Sequence, residues 1–174
     1  MSQAPNTHHM VGTGPHKVLV LHGWFGDSHA FAPIESALTR SDFTYAFLDC
    51  RGYGGMRDVH GAFTMDEIAA DALTLAEHLG FAQFSIVGHS MGSTNALRFA
   101  IDFPQLTRGL VLIGAFAGYR PNPVMMDFWT STVSLLNDPI DPAFVREFQE
   151  STLAIAVPRE IVDKIQKDVA QVLA

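Results

Sequence analysis

An apolar run, Phe84-Ser85-Ile86-Val87, enters Gly88-His89-Ser90-Met91-Gly92 without a break, and Asn95-Ala96-Leu97-Arg98-Phe99-Ala100 leaves it at helical spacing. A buried strand that turns straight into a helix leaves no room for ordinary backbone at the bend. Ser90, at the apex, is expected in a strained conformation, and strain of that kind gathers at functional positions. Gly88 and Gly92 lack a Cβ, so strand and helix can close around the apex. Ser90 Oγ is then lifted above the carboxyl edge of the sheet. A plain Gly/Ser turn in some other strand–helix unit is the alternative; the strand before the turn and the helix after it weigh against it.

Before this turn the chain offers two more short apolar runs. Residues 17–21 (Lys-Val-Leu-Val-Leu) and 43–48 (Phe-Thr-Tyr-Ala-Phe-Leu) read as strands buried in a parallel sheet. Each ends in a loop of unusual composition: His22-Gly23-Trp24-Phe25-Gly26 after the first, Asp49-Cys50-Arg51-Gly52-Tyr53-Gly54-Gly55 after the second. The second loop does not match G-x-x-x-x-G-K-[ST], which argues against a phosphate cradle. A helix is expected over about 30–39, capped by Asp27 or Ser28, with Pro33 near its first turn. Thr64-Met65-Asp66-Glu67 is a capping box, followed by Ile68, Ala72, Leu75, Ala76 and Leu79 at helical spacing and Gly80 as the stop. Asp102-Phe103-Pro104 ends the helix after Ser90, and 109–114 is a fourth buried strand. Residues 1–15 read as a loose entry, and His8-His9 as a solvated pair, since neighbours on an extended chain point opposite ways.

Strands alternating with helices imply an α/β fold: a parallel sheet with helices on both faces. Ligands of such sheets sit outside the carboxyl ends of the strands, where both His22-Gly23-Trp24 and Ser90 fall. After Gly114 the pattern changes. Pro121, Pro123, Pro139, Pro142 and Pro158 punctuate three helical stretches, at about 124–136, 143–153 and 159–173, with no further strand. The chain therefore divides into a core, 1–116, and a helical lid segment, 117–174.

Composition narrows the function classes. With 48% hydrophobic and 17% charged residues in 174, one sizeable core can form. A net charge of −7 argues against a nucleic-acid partner, which needs a basic patch. The single cysteine, Cys50, excludes an internal disulfide framework and fits a reducing compartment. No apolar h-region opens the chain and no run is long enough to span a membrane, so the expected setting is cytoplasmic. No metal or cofactor is implied.

A serine hydroxyl attacks a carbonyl only if a base takes its proton. The oxyanion that forms needs donors. The Met91 N–H, at the helix start, is one; the Trp24 N–H, from the loop after the first strand, is the simplest second. Losing one such donor typically costs about 2.7–4 kcal/mol in the transition state.

These residues resemble the α/β-hydrolase superfamily. Gly88-His89-Ser90-Met91-Gly92 is similar to its nucleophile elbow. His22-Gly23-Trp24 resembles the His-Gly-x oxyanion loop of the lid-bearing esterases, lactonases, C–C bond hydrolases and cofactor-free haloperoxidases. Asp49-Cys50-Arg51-Gly52-Tyr53-Gly54 is similar to the D-x-R-G-x-G loop, with Gly55-Met56 where many members have a serine. The resemblance implies Ser90 as nucleophile, Trp24 and Met91 N–H groups as oxyanion hole, and His22, Gly23, Gly88, His89 and Gly92 as structural support. It also implies a small, largely apolar ester or lactone as substrate.

One departure is large. The family's order is Ser, then Asp or Glu, then His, and no histidine follows His89. His89 sits beside the nucleophile and should point away from it; His22 reads as a loop support; His29 and His78 read as helix-surface residues. None of these reads as a good base, and His60, in a loop, is left open. Some members carry the acid after the strand matching 109–114, where Ala115-Phe116-Ala117 offers no carboxylate. Asp127 reads as a surface or cap residue. The expectation is a serine hydrolase whose base and acid lie on a missing or separate part. A bare edge on strand 109–114 would then be covered by a second polypeptide, a swapped copy or a rearranged lid. The alternatives are a non-catalytic binding module of the same fold and a cofactor-free perhydrolase or haloperoxidase.

Overall fold

Five strands form one sheet in the computed structural model, which describes residues 5–115 together with Pro123, Asp127, Thr130, Ala143, Phe144 and Glu147. They are β1 (His8–Val11), β2 (His16–Leu21), β3 (Phe43–Leu48), β4 (Phe84–His89) and β5 (Thr107–Ile113), in the order β1-β3-β2-β4-β5. All pairings are parallel except β1 with β3. Two α-helices, α1 (Met65–His78) and α2 (Met91–Asp102), and a 3-10 helix, Ser28–Ala37, connect them.

The period of two along each strand divides the core. Leu19, Leu21, Leu48 and Ile86 pack with Ile68, Ala72 and Leu75 of α1 and Ala96 and Phe99 of α2. Val18, Val20 and Phe47 join Phe31 and Leu38 of the 3-10 segment in a separate cluster on the other side. The sheet is thus covered from both faces, and β2 is buried along its last four residues. Burying each of these large side chains contributes about 1.5–3 kcal/mol.

Three local expectations are corrected. Residues 8–11 are not a loose entry: β1 pairs antiparallel with β3, His9 opposite Phe47 and Val11 opposite Tyr45. The His9 ring stacks on Phe47 at 4.8 Å and Val11 is buried, so pairing and packing together order a stretch with little strand pattern of its own. The helix after β2 starts at Ser28 and is 3-10 rather than α. Pro33 lies inside it, where the missing N–H and the ring's clash with the carbonyl four residues back oppose α-geometry. Asp27 is its cap, accepting from the His29 N–H at 2.7 Å. At α1 the Thr64 hydroxyl accepts from the Glu67 N–H at 3.2 Å as expected, but Glu67 reaches one residue further back, to the Phe63 N–H at 2.7 Å.

The chain divides into two compact units, 1–117 and 118–174. In the second unit the six described positions are helical; the remainder of the expected lid helices lies outside the described residues. No helix among the described residues is long and apolar enough to cross a membrane.

Candidate active site

The bend between β4 and α2 carries the strain its sequence implies. Ser90 sits at φ 52°, ψ −116°, in the left-handed half of backbone space that a residue with a Cβ rarely enters. Only two other described non-glycine residues have positive φ, and one is Phe25, in the loop facing this bend. Both flanking glycines are obligatory on steric grounds. A Cβ on Gly88 would collide with the Gly92 carbonyl and come within 2.6 Å of Ser93 Cα. One on Gly92 would strike the Leu21 and His22 carbonyls. The start of α2 therefore lies directly against the end of β2.

Hydrogen bonds fix the apex. The Ser90 N–H donates to the Ile113 carbonyl at 2.8 Å, tying the bend to the end of β5. Ser93 Oγ, buried one turn on, lies 2.7 Å from the Gly88 carbonyl and 3.0 Å from the Ile113 carbonyl and donates between them. Ser90 itself is half-buried, and among the described residues its hydroxyl has no hydrogen-bond partner. Met91 is the first residue of α2, and an N–H at that position has no partner within its own helix.

The loop after β2 is held beside the apex by two histidines. His22 is fully buried; its Nε2 accepts from the Cys50 N–H at 3.0 Å, which leaves the proton on Nδ1 to donate to the Gly23 carbonyl at 2.8 Å. Burial pulls its pKa below the ordinary value, outweighing the Gly23 bond and the nearby Asp49 and Asp27 charges, so the ring is neutral. His89 is exposed and turns toward the loop: its Nδ1 would lie 2.8 Å from a Cβ at Gly23, and its ring meets Phe31 edge-on at 6.4 Å. The Trp24 and Phe25 rings stack at 4.2 Å. Ser90, Met91, Trp24, His22, Gly23, Gly88, His89 and Gly92 thus gather at the carboxyl ends of β2 and β4.

Two residues of the site carried no assigned role in the sequence. Asp49 is buried after β3; its carboxylate accepts from the Thr7 hydroxyl at 2.7 Å, the Ser28 N–H at 2.8 Å and the Gly55 N–H at 2.9 Å. It thereby pins three segments around the loop after β2. Burial raises its pKa, but these bonds prevail and hold it below the ordinary carboxylate value. Tyr53, two residues past the buried Arg51–Asp71 ion pair (2.6 Å), packs edge-on against His22 at 5.2 Å. The signal for both was the glycine-rich loop itself, whose tight turns bring the strand end back toward β2.

His60 is exposed, and its backbone carbonyl accepts from Arg51 Nη1 at 3.0 Å. Asp127 is exposed. No described histidine hydrogen-bonds to Ser90. Among the described residues no three His, Cys, Asp or Glu side chains gather as metal ligands would.

Curated relatives share part of this sequence, and solved structures share its fold. The chain is 39% identical over 110 residues to pyrrolizixenacetamide deacetylase of Xenorhabdus hominickii, covering 63% of this chain and 41% of the relative. It is 38% identical to the mouse serine hydrolase BPHL, covering 62% of this chain and 38% of the relative. It is 31% identical to the putative carbamate hydrolase RutD of Caulobacter vibrioides, covering 79% and 52%. The chain therefore spans about half the length of these relatives or less. Among solved structures, an esterase from Exiguobacterium antarcticum superposes with TM-score 0.81 at 21% identity, covering 95% of this chain and 63% of that one. A thermophilic esterase from Thermogutta terrifontis gives 0.80 at 25%, covering 94% and 60%. The family model described as the alpha/beta hydrolase fold matches residues 17–160, and to that family this chain belongs.

Proposed function

We propose that this chain carries the nucleophile and oxyanion hole of a serine hydrolase acting on carboxylic esters or lactones. The observation that carries the reading is Ser90 at φ 52° between β4 and α2, with glycines on both sides that no other residue could replace. Strain at that one non-glycine position has a purpose if its hydroxyl must stand clear of the sheet.

In the reaction, Ser90 Oγ attacks the acyl carbon and its proton passes to a base. The carbonyl electrons move onto oxygen, where the Met91 and Trp24 N–H groups receive the charge. Collapse expels the alcohol, which takes the proton from the base. Water, deprotonated by the same base, then attacks the acyl-enzyme and releases the acid and Ser90. In a perhydrolase, hydrogen peroxide replaces that water and a peracid leaves. The apolar Trp24, Phe25 and Met91 around the serine suit a small apolar acyl group. The relatives' names, a deacetylase and a putative carbamate hydrolase, belong to the same class of attack at an acyl carbon.

The base and its orienting acid come from outside the described residues: from polypeptide beyond them or from a separate chain completing the sheet beside β5. A second reading, a binding module without catalysis, is favoured by one observation, the absence of a described base on Ser90. A fluorophosphonate probe followed by intact mass separates the two. Labelling that disappears in Ser90→Ala supports the hydrolase; labelling that appears only on adding a C-terminal fragment of a relative places the base on that part. No labelling in either condition favours the binding module.

A further inference from the structure

The first turn of α2 holds a hydroxyl that the acyl-transfer chemistry leaves unused. Ser93 is 1% exposed, and its Oγ lies 2.7 Å from the Gly88 carbonyl and 3.0 Å from the Ile113 carbonyl. A serine inside a helix ordinarily turns its hydroxyl back to a carbonyl three or four residues earlier in the same helix. Neither partner here is of that kind. Gly88 belongs to β4, and Ile113 is the last residue of β5, 20 positions on from Ser93. One proton is therefore shared between the ends of two neighbouring strands.

The same residues hold the apex through their backbones. The Ser90 N–H donates to the Ile113 carbonyl at 2.8 Å, and the Ser93 N–H donates to the Ser90 carbonyl at 2.9 Å. Ser90, Ser93 and Ile113 thus close a ring of three hydrogen bonds around the bend, and only the one from the Ser93 hydroxyl belongs to a side chain. A conformation such as φ 52° at Ser90 costs about 1–3 kcal/mol and persists only where its surroundings over-determine it. Gly88 and Gly92 permit the close approach, since neither has a Cβ to obstruct it, but the absence of a clash exerts no pull. Hydrogen bonds supply the pull.

We propose that the Ser93 hydroxyl is a positioning group for the nucleophile, tying the first turn of α2 to the ends of β4 and β5 and so fixing where Ser90 Oγ stands above the sheet. Met91 follows Ser90 in that turn, so the same tie sets its N–H. A misplacement of about 1 Å between reacting groups costs on the order of a hundredfold, so a bend that loosens by less than that loses rate before it loses the fold.

The inference rests on the serine-hydrolase reading, and its test keeps the two apart. Fluorophosphonate labelling of Ser90 is timed against probe concentration, in the form of the protein that labels, for the natural chain and Ser93→Ala. Alanine removes only the oxygen and suits a helix. Both proteins are measured well below their melting temperatures, so the rate is that of folded protein. The expected result is a fall of about tenfold in the maximal labelling rate with the half-saturating probe concentration unchanged. A hydroxyl that only stabilised the fold would lower the melting temperature and leave that rate alone. If Ser93→Ala labels at the natural maximal rate, or differs only in half-saturation, the positioning role is wrong and the hydrolase reading stands. If Ser93→Ala unfolds, Ser93→Cys replaces it: the side chain keeps its bulk but offers only a weak S–H donor, and an unchanged rate again overturns the proposal. A natural chain that never labels overturns both readings.

Discussion

At Gly92 the space left for a side chain is bounded by main-chain carbonyls, not by side chains that could turn aside. Gly92→Ala should therefore cost about 3 kcal/mol or more, the upper range for overpacking, and displace α2 from β2. Chemical denaturation together with the labelling rate of Ser90 checks this; a variant as stable as the natural chain would mean the bend is looser than described. His22 makes a different demand. Its pKa is lowered from the ordinary 6.5 by burial, so the unfolded chain takes up a proton at a pH where the folded chain does not. The stability that neutral His22 contributes is complete above pH 6.5 and drains away as the pH falls toward its folded value. The melting temperature should drop between pH 7 and 5, and drop less in His22→Gln, which has nothing to titrate there. Equal slopes would assign the acid sensitivity elsewhere.

Asp49 shows the same logic across elements. Its carboxylate joins the end of β3 to the segment before β1, the start of the 3-10 helix and the Gly55 turn. Each bond to a charged group is worth about 1.5–3 kcal/mol, and three donors lose their partner at once, so Asp49→Ala should destabilise by about 3 kcal/mol or more. Because its pKa is held below 3.8, its contribution is present above that value and is lost on further acidification, well separated from the window of His22. The glycine-rich loop marked the place but not the partners: two are backbone N–H groups at positions 28 and 55, which any residue provides, and the third is the Thr7 hydroxyl, 42 positions away in the chain. β1 escaped for a related reason. His8-His9-Met10-Val11 has no alternation to betray a strand, and its order comes from the free edge of β3. The Ser90 bend, in contrast, was legible because strand, glycines and helix lie side by side in sequence and each requires the others. The 3-10 helix was half legible, with Asp27 marking its start and Pro33 deciding its winding.

For the molecule as a whole, the decisive surface is β5. It is the outermost strand of the described sheet on that side, and two of its apolar side chains are open: Val111 is 50% and Ile113 43% exposed. The register places Val111 beside Val87 and Val87 beside Val20, so these side chains extend the same apolar face that the 3-10 segment covers further along. An edge that is both apolar and rich in unpaired backbone groups invites another strand. We propose that further polypeptide, whether from a separate chain or a swapped copy, pairs there in the functional protein. The 174-residue chain alone should then associate as its concentration rises, visible in light scattering or sedimentation. Val111→Lys with Ile113→Lys should suppress that association, since edge lysines oppose strand addition, while changing stability by only about 0.5 kcal/mol at each exposed position. Association that persists undiminished in the lysine variant would locate the contact on another surface, and a monomer at every concentration would show that β5 is sealed without a partner.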